Sequence, residues 1–476
     1  MRILCFFLLL AMLPFTVTAQ GNPDPVTSDT YLNVYKKLRR TLKPLGYPVG
    51  RAGNAAYVID QYVLSYDDPN AATQMQRDVQ TLKRQFGARN VKQLATCGCG
   101  KRQITAVHIR GLGGEERGKR GREHVASTLG KEEVAPNYYL NPDREHIASR
   151  SKIAGSLPPN FSVLSSGKPA APVNIAVLDS GLDYIYQQPN HPQGGARTFL
   201  WENPAPNDPK DPFCFNDDLI GWDFVNNDNS PFDDHSHGTH ITSRIAIQLN
   251  TYAPDVNYRF MPLKMLDENG VGNSFNAACA VLYAAENGAD IIQASWGFYG
   301  EDDPILRAAF KFAESKKVTT IGSAGNERLD LAEFAHYPSS YALEGPPKER
   351  LHSHLFISAA RTPSVVWPLS NIRLEAATPG NAGGFLIAAG GGNYGYIPVH
   401  LAPPNGSVGF VKSGTSVAAP YAAALAADHR HKHPAADGVW TRNAVLQAVM
   451  NQGLQGTFNA NGSSYPFFFF NWVNVP

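Results

Sequence analysis

Residues 173–181, VNIAVLDSG, decide the fold. Val173 to Leu178 is a short, nearly continuous apolar run, as expected for a strand buried on both faces of a parallel sheet. Similar runs recur at 258–266 (YRFMPLKML), 289–294 (ADIIQA) and 317–323 (KVTTIGS), and helical segments lie between them at 237–249, 274–287 and 304–316. Strands alternating with helices predict an α/β fold, a doubly wound parallel sheet with helices on both faces. Its chemistry should sit at the carboxyl ends of the strands.

Upstream the pattern differs. Ala56 to Tyr66 (AYVIDQYVLSY) is β-branched and aromatic, and 70–86 follows as a helix with Met75, Val79, Leu82 and Phe86 at helical spacing and Gly87 as a stop. Strands at Val91–Leu94 and Ile104–Ile109, a helix near 121–129 and a final strand EEVAPNYYL complete a small α+β module of the split βαβ kind over 56–140. A leader, 20–55, precedes it. A Pro-, Ser- and Gly-rich linker, 141–172, separates it from the α/β unit, 173–476.

The chain has 476 residues with 42 Lys and Arg against 41 Asp and Glu, a formal charge of +1. This balance argues against a nucleic-acid partner, and with 43% hydrophobic residues it argues against disorder. The balance is an average of opposites. Residues 20–150 hold 21 basic and 13 acidic residues, a net +8, and 151–476 hold 20 and 28, a net −8. Either two solvated surfaces differ in sign, or two surfaces attract each other.

Residues 1–19 read as a secretory signal peptide: Arg2, then a short apolar core ending in Val17 and Ala19. No other run is long enough to span a bilayer, so the chain is expected to be exported, to the periplasm or outside the cell, without a stable membrane anchor. Four cysteines then remain: Cys97, Cys99, Cys214 and Cys279. Cys97 and Cys99 are too close for an unstrained loop and lack further metal ligands nearby. Cys279 reads either as a bridge to Cys214 or as an inert buried thiol.

Three stretches carry chemistry. Asp179 ends the first α/β strand beside the turn at Gly181. DDHSHGTH brings His235, His237 and His240 onto one loop-to-helix turn, where the spacing admits either a zinc site or a single catalytic base at a helix start. Thr239 stands where the H-x-H-x-D-H pattern of metal hydrolases needs an acid, which counts against zinc. In SGTSVAAP, Ser416 opens an Ala-rich helix whose N-terminus favours developing negative charge. TTIGSAGN ends a strand at Asn326.

Together, LDSGLD around Asp179, HGTH from His237, SWG at 295–297, SAGN ending at Asn326 and GTSVAAP around Ser416 resemble the subtilisin-like serine proteases, the subtilases, over about 173–450. The resemblance implies a secreted endopeptidase with Ser416 as nucleophile forming an acyl-enzyme, His237 as base and acid, Asp179 orienting the imidazole, and Asn326 with the Ser416 N–H as oxyanion donors. It also implies an S1 pocket walled by Ser295-Trp296-Gly297 and Ser323-Ala324-Gly325, and a backbone edge at Gly270-Val271-Gly272 that pairs with extended protein or peptide substrates. His240 would be a packed structural histidine. The N-terminal module resembles a subtilisin propeptide, an intramolecular inhibitor and folding aid removed by self-cleavage within 138–172.

Ser236 departs from the family's usual Gly, and Trp296 is bulkier than is common there. The chemistry is expected to need no cofactor. The family's calcium loop is not carried over, because the chain is shorter there; calcium elsewhere is possible but unplaced, and the Asp pairs 217–218 and 233–234 read as solvated loop acids. A monomer is expected. The alternatives are a catalytically inactive subtilase-fold binding protein and, more remotely, a zinc hydrolase on His235, His237 and His240.

Overall fold

The computed structural model describes residues 29–98, 100–141, 170–184, 199–208, 210–213, 215–343, 350–362, 365–366, 370–372, 387–390, 414–451, 455–460 and 463–470. The signal-peptide stretch, nearly all of the linker, Cys99 and Cys214 lie outside the described residues.

The N-terminal unit runs α1 (Asp29–Leu42), β1 (Val49–Ala52), β2 (Ala55–Asp67), α2 (Ala71–Phe86), β3 (Val91–Cys97), β4 (Arg102–Ile109), α3 (Gly118–Leu129) and β5 (Val134–Leu140). Its antiparallel strands lie in the order β3-β4-β2-β5, the arrangement expected of a split βαβ module. On α2 the buried Ala71, Met75, Val79 and Leu82 recur at helical spacing, so one stripe packs on the sheet. The leader is not separate from this unit. Val49 to Ala52 pairs with β2, and Tyr35 and Leu42 of α1 share a core with Val49 and Val58.

The second unit begins with β6 (Val173–Asp179), β7 (Trp222–Asp223), α4 (His237–Tyr252), β8 (Tyr258–Lys264), β9 (Gly272–Asn273), α5 (Ser274–Glu286), β10 (Ile291–Ala294) and β11 (Phe298–Tyr299). It continues with α6 (Pro304–Ser315), β12 (Thr319–Ser323), β13 (His336–Tyr337), β14 (His354–Thr362), β15 (Val365–Val366), β16 (Ile387–Gly390), α7 (Thr415–Lys432), α8 (Gly438–Asn451), β17 (Gln455–Ala460) and β18 (Ser463–Phe470). The large sheet has the order β17-β18-β16-β14-β12-β10-β6-β8-β7, parallel from β18 to β7. The chain leaves β6 toward β7 and β8, then crosses to β10 on the other side. That reversal places a crevice at the carboxyl ends of β6 and β10.

Helix α5 joins the two units. Its residues Ser274 to Ala285 are buried all round, because one face meets the parallel sheet and the other meets the N-terminal sheet. Ile104, Ala106 and Ala135 share one apolar core with Ala277, Ala278, Leu282 and Phe310. Lys37–Glu327 (3.4 Å) and Lys119–Glu301 (3.1 Å) also cross between the units, each through a lysine more than half exposed. Exposed pairs of this kind contribute about 0–1 kcal/mol each.

The cysteine pairing corrects the sequence expectation. Cys279 is neither bridged to Cys214 nor an inert thiol: it is disulfide-bonded to Cys97, 182 residues away in the other unit. Cys97 closes β3 on the face that lies against α5, which is what brings the two together.

Candidate active site

Strand β6 delivers Asp179 to the crevice floor, and α4 begins with His237. His237 Nδ1 lies 2.7 Å from Asp179 Oδ1 and 2.9 Å from Oδ2, with both residues fully buried. A carboxylate only accepts, so the imidazole proton sits on Nδ1 and the Nε2 lone pair is left to act as a base. The Ser180 N–H donates to Asp179 Oδ1 at 2.7 Å.

The turn into α4 is organised by Asp233. Its Oδ1 accepts from Ser180 Oγ, the His235 N–H and the Ser236 N–H, and its Oδ2 accepts from the Thr239 N–H and Oγ1. Asp234 forms a buried ion pair with Lys264 (2.5 Å), whose ammonium also donates to the carbonyls of Ser180 and Leu266. Asp233 and Asp234 are therefore not solvated loop acids, since both are buried and satisfied inside the site, and neither is Asp218, which is buried and accepts from the Tyr283 hydroxyl at 2.6 Å. Gly238 is required by proximity, since a Cβ there would lie 2.1 Å from the Gly181 carbonyl oxygen.

Lys264→Met is expected to destabilise by about 3–5 kcal/mol, because it strands the Asp234 charge in the core. Adding Asp234→Leu should recover most of that loss. Urea midpoints of both variants check this, and equal midpoints for the single variant and the parent would show that the pair does not hold the fold.

Ser236 adopts φ +86°, a left-handed conformation that costs a side-chain-bearing residue about 1–2 kcal/mol. Its buried hydroxyl has no hydrogen-bond partner among the described residues. Ser236→Gly should therefore raise stability by about 0.5–1 kcal/mol, after allowing for glycine's larger unfolded-state entropy, with activity retained. A lower denaturation midpoint would show that the turn is unstrained.

Ser416 is the second residue of α7 and is fully buried. Pro420, four residues on, has no N–H to close the helical bond to the Ser416 carbonyl, which instead accepts from Ser295 Oγ at 2.9 Å. Ser295 is positioned in turn by Gln293 Nε2 at 2.7 Å. Asn326, just beyond β12, directs its Oδ1 at the Thr415 N–H (2.9 Å) and Oγ1 (3.0 Å). That orientation turns Nδ2 toward Gly414, where a Cβ would lie 2.8 Å from it. Gly414, at φ +151°, lets the amide stand beside the first turn of the serine helix.

Two strips of backbone flank this centre, and a segment of the same chain lies between them. Tyr139 and Leu140 of β5 pair antiparallel with Asn273 and Gly272 of β9, and Asn141 pairs with Gly297 through N–H···O bonds of 3.3 and 3.1 Å. Beside it Asn137 Oδ1 accepts from the Phe275 N–H, and Ser274 Oγ accepts from the Tyr138 N–H, so β5 also caps α5. Asp303 caps α6 through the N–H groups of Ile305 and Leu306, and burial raises its pKa to about 6.

Other predicted positions fall around this core. Gly270 turns at φ +74° against the His235 ring, and Val271 packs on Tyr139 and Val49. The Trp296 side chain is fully buried and stacks with Phe310 of α6. Ser323 and Ala324 are fully buried, and the Gly325 N–H donates to Thr415 Oγ1. His240 is buried on α4, and the His235 and His237 rings stand 6.4 Å apart. Among the described residues no group of three His, Cys, Asp or Glu is placed to hold a metal, and no helix is long and apolar enough to cross a membrane.

Sequence reasoning missed Asp233, Lys264 and Thr415 as members of the site. The signal for Asp233 and Thr415 was their adjacency to the motif residues, and for Lys264 it was a cation inside the apolar run 258–266.

The structure thus sets an imidazole against a carboxylate at the carboxyl edge of a parallel sheet, with the helix that Ser416 opens packed in one core with the helix that His237 opens. The family model of the subtilases, Peptidase S8, matches residues 171–465, and the chain belongs to that family. It is 31% identical over 158 residues to a thermophilic serine proteinase of Bacillus sp. strain AK1, covering 32% of this chain and 32% of that one, so the match spans about a third of that relative's length. It is 25% identical over 340 residues to subtilisin E of Bacillus subtilis, covering 68% and 71%. Among solved structures, fervidolysin from Fervidobacterium pennivorans, a keratinolytic enzyme related to subtilisin, shares the fold with a TM-score of 0.52 at 18% identity, covering 90% of this chain and 63% of that one.

Proposed function

We propose that the protein is an exported serine endopeptidase made as a zymogen, with residues 29–141 as a propeptide that inhibits its own protease domain. The observation that carries this reading is the strand Tyr139–Asn141, paired on both edges of the crevice as an extended substrate would be. In the reaction Ser416 Oγ attacks the scissile carbonyl while His237 Nε2 takes its proton. Asp179 stabilises the imidazolium, and Asn326 Nδ2 with the Ser416 N–H receives the oxyanion. His237 then protonates the leaving amine, and water releases the acyl group from Ser416.

Self-cleavage falls after Asn141, within the linker, because residues up to Asn141 are held in the strand ladder. The enzyme is proposed to act as a monomer on protein or peptide substrates and to need no cofactor for chemistry. The Cys97–Cys279 bond supports export, since disulfides persist in oxidising compartments. A fluorophosphonate probe tests the reading: processed protein should be labelled on Ser416, equally with and without chelator. Folded, processed protein that takes no label would refute it.

A further inference from the structure

The Cys97–Cys279 bond joins the two units across the stretch where processing is proposed. Cutting the chain between Asn141 and Ala170 removes the peptide connection and leaves the sulfur connection in place. We propose that the pair is a covalent modification site that makes the processed protein a disulfide-linked two-chain molecule, with a dithiol as the reactant that separates the chains. The tethering consequence rests on the proposed processing; the bond itself does not.

The geometry favours persistence. Cys97 is 4% exposed and Cys279 is fully buried, in the core shared by Ile104, Ala106 and Ala135 of one unit and Ala278 and Leu282 of the other. A reductant reaches the bond only when the units part locally, so the apolar interface and the disulfide protect each other. In forming, the two thiols lose two protons and pass two electrons to a disulfide oxidant, which becomes a dithiol. In breaking, a dithiol supplies two electrons and becomes a disulfide, and the two cysteine sulfurs regain their protons.

The functional consequence follows from effective concentration. An untethered propeptide dissociates when the protein is diluted, whereas a tethered one stays at about millimolar effective concentration near the cleft. Tyr139–Asn141 would then continue to compete with substrate after cleavage. Relief requires reduction of the bond, or a second cut that detaches β5 while leaving a remnant of the unit on Cys279.

The test uses the full chain carrying Ser416→Ala and a recognition sequence for a site-specific protease inserted between Asn141 and Ala170. After that protease has cut, a denaturing gel should show one species without reductant and two with dithiothreitol, and peptide mapping should recover Cys97 linked to Cys279. Two species without reductant, or Cys279 found free or linked to Cys214, would overturn the proposal. Because the added protease makes the cut, this arm reads the bond whether or not the chain processes itself.

The second arm compares processed wild type with Cys97→Ser/Cys279→Ser after about thousandfold dilution. The tethered form should be at least about a hundredfold less active until dithiothreitol is added. Equal activities would refute the inhibitory tether, and if the double variant fails to fold, dithiothreitol activation of the wild type alone decides the point.

Discussion

Ser416→Ala should yield a precursor that stays in one piece and hydrolyses peptides at least about 10⁴-fold more slowly than the parent. The fold predicts this separation of chemistry from stability. Position 416 lies in the first turn of α7, where alanine is a good helix former, and the backbone contact that anchors it runs from the Ser416 carbonyl to Ser295 Oγ. That contact survives the substitution. The hydroxyl itself is buried with no hydrogen-bond partner among the described residues, so removing it sacrifices no internal bond. The thermal midpoint should match that of parent protein trapped unprocessed, within about 2 °C. Mass spectrometry of the purified chain and its progress curves on a peptide substrate check both halves. A variant cut within 142–169 at the parent's rate would show that another protease, or another nucleophile, matures the protein.

Legibility of this molecule from its sequence followed the range of the interactions. The buried strand VNIAVL and the stripe on α2 are written in local periodicity, and the structure places β6 and α2 within a residue or two of those patterns. Asp179, His237 and Ser416 stand at the element ends where their local sequence puts them, and the structure brings Asp179 against His237. The connections between elements were not legible. Four cysteines permit three pairings, and only the docking of the N-terminal sheet on α5 selects Cys97 with Cys279. Asp233 and Asp234 look like solvent-facing acids in a loop, yet the turn folds inward and gives them five donors and an ammonium group. Trp296 sits in a motif near the nucleophile, but its ring packs on Phe310 in the core. In the leader, α1 and β1 were hidden because KKLRR suggests a solvated surface, and it is pairing with β2 that orders Val49 to Ala52.

Asp179→Asn should be nearly as damaging as losing the nucleophile, with kcat/KM down by about 10⁴ at neutral pH, although the side chain keeps its size. The loss comes from one proton. Asp179 presents two acceptor oxygens to His237 Nδ1 at 2.7 and 2.9 Å, which fixes the Nδ1–H tautomer and leaves Nε2 able to take the Ser416 proton. An asparagine keeps one acceptor, and the Ser180 N–H at 2.7 Å already claims an acceptor oxygen at this position. Its NH₂ group is then directed at the imidazole, turning Nδ1 into an acceptor and placing the ring proton on Nε2. A base protonated on its working nitrogen cannot deprotonate the serine. The defect should therefore appear in acylation: fluorophosphonate labelling of Ser416 should slow in parallel with peptide hydrolysis, while KM changes by less than about threefold because the strand-pairing edges at Gly272 and Gly297 are untouched. Asp179→Ala provides the contrast, since it removes the misdirected donor along with the acceptor and leaves the imidazole free to choose its tautomer. If Asp179→Asn is the more active of the two, tautomer control is not what Asp179 provides. If it is the less active, the carboxylate works by holding a single proton on the far side of the ring from Ser416.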